Sequence, residues 1–261
     1  MPLLSPPLIA VVYRPLAALP RDAGAYIAWA VSLVAVLGTI GALVRRRPIT
    51  TSLAVILLCM PLTLTLDIAN VNSLLFLGAV ASWWLYVRGR YFWSGVAIAV
   101  MAAVKLTPGP LATWLLLSRR SRRQGLYGLA VSGLVCAIVS VAGSGLAAHI
   151  DYLEVIRHTQ DVGTTGYSLA GLGRSNGIAP EIARWFPDIY LLVSVGLMVV
   201  YRDRPGWCYS IAVLAWIFGS PVVGFDTLTL LIALVAPLAW PAERSVEPRT
   251  DPALVSSPAF P

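Results

Sequence analysis

Residues 95–123 read GVAIAVMAAVKLTPGPLATWLLLSRRSRR, and this stretch decides which fold the chain can adopt. Apolar runs lie on both sides of Lys105, which is the only lysine among 261 residues. Neither run reaches the roughly 20 residues that an α-helix needs to cross about 30 Å of hydrocarbon. Pro108 and Pro110 interrupt a helix between the two runs. The sequence therefore predicts a re-entrant or broken helical hairpin at 91–117.

The composition as a whole is that of a membrane protein. Hydrophobic residues make up 58% of the chain, charged residues make up 12%, and the mean hydropathy is +0.78. Soluble domains carry about 25% charged residues. The net charge of +7 gives no indication of nucleic-acid binding, because the arginines lie between apolar runs. The three cysteines lie singly in apolar stretches, which is typical of small buried side chains and not of disulfides or metal ligands.

These features predict an all-α, polytopic transmembrane helix bundle. Besides the hairpin, the apolar segments indicate about seven spans, and the last three of them are short, which is typical of tilted or broken helices. The predicted spans are 24–44, 49–66, 71–87, 126–143, 189–201, 206–219 and 226–240.

Charge predicts the orientation of the bundle. Four loops between apolar runs are rich in arginine, and the positive-inside rule places such loops in the cytoplasm. All four fit one alternating topology only if 91–117 enters and leaves on the same side, which puts Lys105 toward the exterior. Most acidic residues before the tail then also lie outside, and Asp203 alone sits in a cytoplasmic loop between spans. The clusters are Arg45–Arg47, Arg88 with Arg90, Arg119–Arg123, and Arg202 with Arg204.

The chain is predicted to form a single integral membrane domain over 1–240. Its exterior parts are an amphipathic segment at 1–23 and a long loop at 144–188. Within that loop, apolar residues on one helical face indicate an interfacial helix at 146–158. The Pro/Ser-rich segment 241–261 is predicted to be a disordered cytoplasmic tail.

Two basic residues are candidate phosphate ligands. Charged groups near hydrocarbon cost a few kcal/mol each and persist when they are paired, reach water or serve a site. Lys105 lies at a helix break and is predicted to bind a phosphate at the outer membrane boundary, with a snorkelling lysine as the alternative. Arg174 lies in a glycine-rich loop, where its fork geometry suits a phosphate, with a solvated loop arginine as the alternative.

Two acidic residues are candidate catalytic bases. Asp67 ends one predicted span, and Asp226 begins the last one, where a first-turn helix acid is the alternative reading. Asn70 and Asn72 follow Asp67, and a polar turn that caps the next helix explains both of them. Nothing pairs the two histidines, His149 and His158, as metal ligands, so both are interpreted as surface residues and no metal site is predicted.

Five segments, in this order, resemble motifs of one enzyme family. SPPLIAVVYRPLAALP (5–20) resembles a Tyr-Pro-Pro-Leu segment, and Asn-Val-Asn (70–72) resembles a Gly-Gln-x-Asn turn. AVKLTPGPLATWLLLSRR (103–120) is similar to a Lys-Leu-x-Pro segment, and YSLAGLGR (167–174) is similar to Asn-Gln-Ser-Leu-x-Gly with a downstream arginine. GSPVVGFDTLTLLIALVAP (219–237) stands where the family has Ser-Pro-x-Ser-Trp followed by histidine. The family is the bacterial polyprenol-phosphate-mannose-dependent mannosyltransferases, glycosyltransferase family 87 of the GT-C type.

The resemblance implies a GT-C-like fold and a membrane hexosyltransferase in a bacterial plasma membrane. Such an enzyme moves mannose from a polyprenyl-phosphate donor to an envelope glycolipid or lipoglycan at the outer face, without a nucleotide, a cofactor or nucleic acid. A base, Asp67 or Asp226, would deprotonate the acceptor. Lys105 and Arg174 would stabilise the departing phosphate. The resemblance also makes Asn70, Asn72, Tyr167 and Ser168 residues that line the site.

The sequence departs from the family pattern in three places. Members usually carry a membrane span and an exterior loop with the catalytic aspartate ahead of the Tyr-Pro-Pro segment, and both are expected to be missing here because Met1 lies almost at that segment. Asn70 and Tyr167 stand where the family has glutamine, and Gly224–Thr227 stand where it has Trp and His. The alternatives are a non-catalytic relative and a lipid-linked-sugar transporter. The spans carry no chain of ionisable residues for proton coupling, which disfavours the transporter.

Overall fold

All of the regular secondary structure in the described part of the chain is helical. A computed structural model describes residues 6–119, 121–162, 167–221 and 223–242, with the side chains of 156–162 left out, so most of the predicted tail lies outside it. The all-α, membrane-type prediction is confirmed for these residues. The helices are α1 (Pro7–Ala17), α2 (Arg21–Val44), α3 (Pro48–Leu57), α4 (Cys59–Asp67), α5 (Asn72–Val87), α6 (Tyr91–Val104), α7 (Gly109–Leu117), α8 (Arg122–Val162), α9 (Leu169–Ser175), α10 (Pro180–Ala183), α11 (Phe186–Val200), α12 (Pro205–Phe218), a 3₁₀ helix (Phe225–Val235) and α13 (Ala236–Ala239).

The predicted number of about seven spans is not confirmed. Among the described residues, three helical segments are long and apolar enough to cross a membrane: Arg21–Val44, Arg122–Val155 and Pro180–Val200. A fourth results if α3 and α4, which are bent by 70° relative to each other, count as one broken span. The bend lies just before Pro61, which has no N–H to bond the carbonyl four residues earlier. The other apolar helices in the described part of the chain have at most 17 residues.

The ends of several helices meet beside the arginine-rich loops. Arg47 Nε, after α2, donates a hydrogen bond of 2.8 Å to the carbonyl of Leu238. Trp83 Nε1, near the end of α5, donates one of 3.0 Å to the carbonyl of Trp240. Gly206, at the start of α12, lies beside Pro237 and the Trp83 ring. The arginine clusters around Arg47, after α5 and before α12 therefore lie at one end of the molecule, which we call the arginine end.

The hairpin at 91–117 begins and finishes at this arginine end. The ring of Tyr86, near the end of α5, lies 5.4 Å from the ring of Tyr91 at the start of α6. It also lies 4.9 Å from Trp114, and its hydroxyl is 2.7 Å from Ser118 Oγ at the end of α7. The chain thus enters through α6 and returns through α7 to the same end, as the arginine pattern predicts, and the break between them lies at the opposite end.

An aromatic cluster fills the interior of the bundle. Trp83, Trp114 and Tyr209 are fully buried, and their ring centroids lie 5.1–5.8 Å apart. The Tyr209 hydroxyl donates a 2.9 Å hydrogen bond to the carbonyl of Ala79, which satisfies its polar atom inside the core. Because lipid tails are as apolar as the rings, such packing holds helices together in a membrane through close contact more than through exclusion of water. The cluster joins α5, α7 and α12 into one unit.

Glycines allow α6 and α8 to touch backbone to backbone. A Cβ added at Gly95 would collide with the carbonyl of Gly125, and one added at Gly128 would collide with the carbonyl of Phe92. Small residues at such crossings let helix backbones approach closely in membranes. This contact seats the hairpin against the membrane-length helix α8.

Replacing Gly128 by alanine is expected to destabilise the protein by about 1–3 kcal/mol, because overpacking forces the two backbones apart. Gly133→Ala on the same helix is the matched control, since a Cβ there meets nothing within 4 Å. In a helix interior, alanine is also more favourable than glycine by about 1 kcal/mol. Thermal unfolding of the purified variants should show a lower Tm for Gly128→Ala only, and equal midpoints for both variants would contradict the close contact.

A kink at Gly145 divides α8 into two segments. Gly145 has φ 79° and ψ 162°, and the helix before it, 122–144, is about 35 Å long, enough to cross the hydrocarbon. The predicted interfacial helix follows the kink. Three of its four apolar side chains, Leu146, Ile150 and Leu153, are exposed, and the fourth, Ile156, falls outside the described side chains.

His149 is partly exposed, as expected of a surface residue, but hydrogen bonds fix its ring. It is half-buried, and its two ring nitrogens lie 2.9 Å from Ser140 Oγ and 2.9 Å from the Gly145 carbonyl. Because the kink turns the helix at Gly145, the ring reaches back and bridges the bend. His158, the second predicted surface histidine, lies outside the described side chains.

Candidate functional site

A tight turn between α4 and α5 presents two asparagines. Ala69 adopts the left-handed conformation with φ 46°, which costs a residue with a Cβ roughly 1–2 kcal/mol. The Asn70 N–H then donates a 3.0 Å hydrogen bond to the carbonyl of Thr65 at the C-terminal end of α4. Asn70 Oδ1 accepts the Asn72 N–H at 3.0 Å, so Asn70 caps the start of α5, as its position predicts.

Both asparagine side chains converge on one carboxylate. Asn70 Nδ2 and Asn72 Nδ2 each donate a 2.6 Å hydrogen bond to Asp226 Oδ2. Asn72 is fully buried, and its Oδ1 accepts a 3.2 Å hydrogen bond from Lys105 Nζ. A single amide therefore bridges the ammonium and the carboxylate. We call Asn70, Asn72, Lys105 and Asp226 the Asp226 network.

Asp226 is also fixed through its backbone. It is the second residue of the 3₁₀ helix, and Thr65 Oγ1 lies 3.0 Å from its carbonyl oxygen and 2.9 Å from Thr229 Oγ1. The preceding Gly224 leaves room for the carboxylate, since a Cβ there would collide with Asp226 Oδ1. The Thr65 hydroxyl of α4, which also lies 2.9 Å from the Pro61 carbonyl, thus links α4 to the residue that carries the carboxylate.

The break in the hairpin aims Lys105 at the network. Lys105 ends α6 with extended backbone angles, φ −150° and ψ 124°, so the chain leaves the helix there. Two residues later, Thr107 Oγ1 accepts a 2.8 Å hydrogen bond from Trp216 Nε1, which ties the break to α12. A snorkelling lysine would direct its ammonium into water, whereas the Lys105 ammonium bonds the buried Asn72.

The segment that opens α9 lies beside Asp226. The Tyr167 N–H donates a 3.2 Å hydrogen bond to the carbonyl of Val223, and its ring lies 5.0 Å from the ring of Phe225. Ser168 is buried, and its Oγ accepts the Gly171 N–H at 3.0 Å as the N-cap of α9. Tyr167 therefore borders the site, whereas the Ser168 hydroxyl is used to hold α9.

Arg174 presents a buried nitrogen with no acceptor. Its Nε is inaccessible to solvent and has no hydrogen-bond partner among the described residues. Buried polar atoms without a partner are rare in folded proteins, so this one calls for an explanation. An anionic ligand such as a phosphate would satisfy it.

Asp67 stays outside the network. It is the last residue of α4, its side chain is exposed, and none of the side-chain hydrogen bonds in the described part of the chain involves it. Of the two predicted catalytic acids, the structure thus groups only Asp226 with Lys105 and the asparagines.

The sequence pattern did not single out the residues that support the network. Thr65 Oγ1 contacts the Asp226 carbonyl oxygen, the Thr229 hydroxyl contacts Thr65, and Trp216 holds the break beside Lys105. Each is a single threonine or tryptophan inside an apolar helix, where nothing in the pattern distinguishes it from its neighbours. Among the described residues, no three His, Cys, Asp or Glu side chains group as a metal site would require.

Comparison with known proteins agrees with the resemblance seen in the motifs. The model of glycosyltransferase family 87 matches residues 4–246. The chain belongs to glycosyltransferase family 87. No curated protein and no solved structure matched it in the same comparisons. The matched range contains the whole Asp226 network, so these residues lie within the family's own domain.

Family 87 membership has two direct consequences. The protein is a membrane glycosyltransferase in general terms, and its family implies a lipid-linked sugar donor and an acceptor in a membrane. The apolar helices of the described residues fit that setting.

Proposed function

We propose that the protein transfers a hexose, mannose by the family resemblance, from a polyprenyl-phosphate donor to a glycolipid or lipoglycan of the bacterial envelope. The reaction takes place at the exterior face of the plasma membrane, opposite the arginine end. The observation that carries the proposal is the Asp226 network, which places a carboxylate and an ammonium on the two sides of one buried amide in a family 87 chain.

Asp226 is the proposed base. Its Oδ2 accepts both asparagine amides, and Oδ1 is the oxygen that we propose faces an acceptor hydroxyl. Asp226 takes the hydroxyl proton as the acceptor oxygen forms its bond to the anomeric carbon. The bond between that carbon and the phosphate oxygen breaks, and polyprenyl phosphate leaves with the electron pair.

Lys105 and Arg174 are the proposed phosphate ligands. An ammonium has three donors, and the contact with Asn72 uses one of them, so the Lys105 ammonium can also donate to a phosphate. The unpartnered Arg174 Nε supplies a second donor. Positive groups that face the leaving oxygens stabilise the charge that develops as the bond breaks. Because Asn72 bonds both side chains, it keeps the distance between the phosphate ligand Lys105 and the base Asp226 constant.

Transfer by the purified protein tests this proposal directly. The full chain in nanodiscs, supplied with synthetic decaprenyl-phosphate [¹⁴C]mannose and an envelope glycolipid extract, is expected to place label on a glycolipid and release decaprenyl phosphate. GDP-mannose as donor is the control and should give no product. Movement of the donor across the bilayer without transfer would favour the transporter, and donor binding without either would favour the non-catalytic relative.

A further inference from the structure

An exposed aromatic ring lies beside the carboxylate of the Asp226 network. Tyr167 is 46% exposed, and its ring centroid lies 5.0 Å from that of Phe225, with an interplanar angle of 46°. The Tyr167 N–H also donates a 3.2 Å hydrogen bond to the Val223 carbonyl. One backbone contact and one ring contact therefore join Tyr167 to the residues just before Asp226, while much of its side chain stays accessible.

Gly224 forms an opening between the Tyr167 ring and the carboxylate. It is exposed, and both of its chain neighbours, Val223 and Phe225, contact Tyr167. A Cβ added at Gly224 would collide with Asp226 Oδ1, so this oxygen occupies the space that a side chain would take. Tyr167 and Asp226 Oδ1 thus border the same exposed glycine, whereas Asp226 Oδ2 accepts the two asparagine amides.

An aromatic ring next to a carboxylate matches the chemistry of a sugar ring. A pyranose carries C–H groups on its faces and hydroxyls around its edge. The negative face of an aromatic ring attracts such C–H groups, and a carboxylate oxygen accepts hydroxyl protons in short, charge-assisted hydrogen bonds. A hydroxyl on a flexible lipid or a serine could use the carboxylate, but it offers no flat apolar face to the ring.

The aromatic pair is a feature of this particular chain. Tyr167 stands where the family motif has glutamine, and Phe225 lies in the segment that stands where the family has Trp and His. Tyrosines also anchor proteins at membrane interfaces. An anchor needs no fixed partner, however, whereas the backbone and the ring of Tyr167 are both held beside Asp226.

We propose that Tyr167 and Phe225 form a stacking platform for a pyranose ring of the acceptor, and that this platform brings a ring hydroxyl to Asp226 Oδ1. The inference rests on the proposed function and names the part of the acceptor that the site selects, a sugar ring. The hydroxyl proton passes to Asp226 as the oxygen forms its bond to the anomeric carbon of the donor hexose. The bond from that carbon to the phosphate oxygen breaks, and polyprenyl phosphate leaves with the electron pair.

Binding of hexyl pyranosides to the purified full chain in nanodiscs tests the platform without requiring transfer. The α-mannoside, α-glucoside and α-galactoside are compared first, and the tightest binder is used afterwards. Tyr167→Leu keeps an apolar side chain without an aromatic face, so its Kd should rise by about tenfold, the upper range for one ring contact. Tyr167→Phe keeps the face and should rescue most of this loss.

Two controls separate the sugar ring from other contributions. The first is 1-O-hexylglycerol, which has the same alkyl chain and free hydroxyls but no ring, and it should bind the unsubstituted chain and both Tyr167 variants equally. The second is Tyr26→Leu, which removes a tyrosine that is 73% exposed near the start of α2. A surface substitution away from the site should change the glycoside Kd less than about twofold.

Several outcomes would overturn the platform. An unchanged glycoside Kd in Tyr167→Leu would make Tyr167 an interface anchor, and equal losses in Tyr167→Leu and Tyr167→Phe would show that the aromatic face is not what binds. Absence of glycoside binding by the unsubstituted chain, or an equal loss for 1-O-hexylglycerol, would overturn it as well. If glycoside binding depends on the ring while the chain transfers no mannose, the platform stands and the proposed transfer fails. If transfer occurs and Tyr167→Leu leaves the KM of the acceptor unchanged, only the platform fails.

Discussion

Replacing Asp226 by asparagine is expected to lower the rate of hexose transfer by about 10²–10⁴-fold, the usual contribution of a general base. The side chain keeps its shape, and its carbonyl oxygen can still accept the hydrogen bonds that Asn70 and Asn72 now donate to Oδ2. An amide, however, cannot take the proton of the acceptor hydroxyl. Initial rates with the labelled donor measure the loss, while thermal unfolding and the Kd of decaprenyl phosphate should stay close to those of the unsubstituted chain.

Asp67→Asn is the matched control, because it removes one carboxylate in the same way. Asp67 is exposed and lies outside the network, so its variant should retain transfer within about twofold. If Asp67→Asn abolishes transfer and Asp226→Asn does not, the base is Asp67, the other acid that the sequence indicates. If neither substitution changes the rate of transfer, Asp226 is a first-turn helix acid that accepts two asparagine amides, and its proposed role as the base is wrong.

The secondary structure was predictable where the signal is local. The apolar runs and their arginine borders place α2, the hairpin and the first part of α8 to within a few residues, since hydropathy reports each of them independently. The number of spans was not predictable in the same way. Hydropathy shows that 49–66 is apolar, but not that the segment before Pro61 bends by 70° and divides it into two short helices. Continuity of a helix depends on single residues that an average over a window cannot reveal.

The candidate site was predictable residue by residue but not as an arrangement. Asn70, Asn72, Lys105 and Asp226 each attract notice as polar groups at apolar boundaries, and the family motifs place them in order. Their contacts are tertiary, because Asn70 and Asp226 are separated by 156 residues in the chain. Sequence alone therefore could not show that the two asparagines contact Asp226 and not Asp67. The hydrogen-bond partners of His149 were not predictable for a related reason, since they depend on the kink at Gly145.

The second large effect is expected at Lys105. Lys105→Gln should weaken binding of decaprenyl phosphate by about 10–100-fold, the range for loss of a hydrogen bond to a charged group. The glutamine amide can replace the ammonium as donor to Asn72 Oδ1, so the orientation of Asp226 is preserved and only the positive charge is lost. Decaprenol, which has the same chain without the phosphate, should bind both proteins equally. The two Kd values thus separate recognition of the phosphate from recognition of the lipid.

Arg90→Gln is the control for Lys105, because it removes one positive charge from an exposed position at the arginine end, and it should change neither Kd by more than about twofold. If both Lys105→Gln and Lys105→Arg bind decaprenyl phosphate normally, the lysine is a boundary residue and contacts no phosphate. If Lys105→Gln weakens the binding of decaprenol as much as the binding of decaprenyl phosphate, Lys105 supports the fold and does not recognise the phosphate. If Lys105→Gln loses phosphate binding while Asp226→Asn loses rate but not binding, the two residues that Asn72 bridges act in different steps. Lys105 then binds the donor phosphate, and Asp226 acts in the transfer itself.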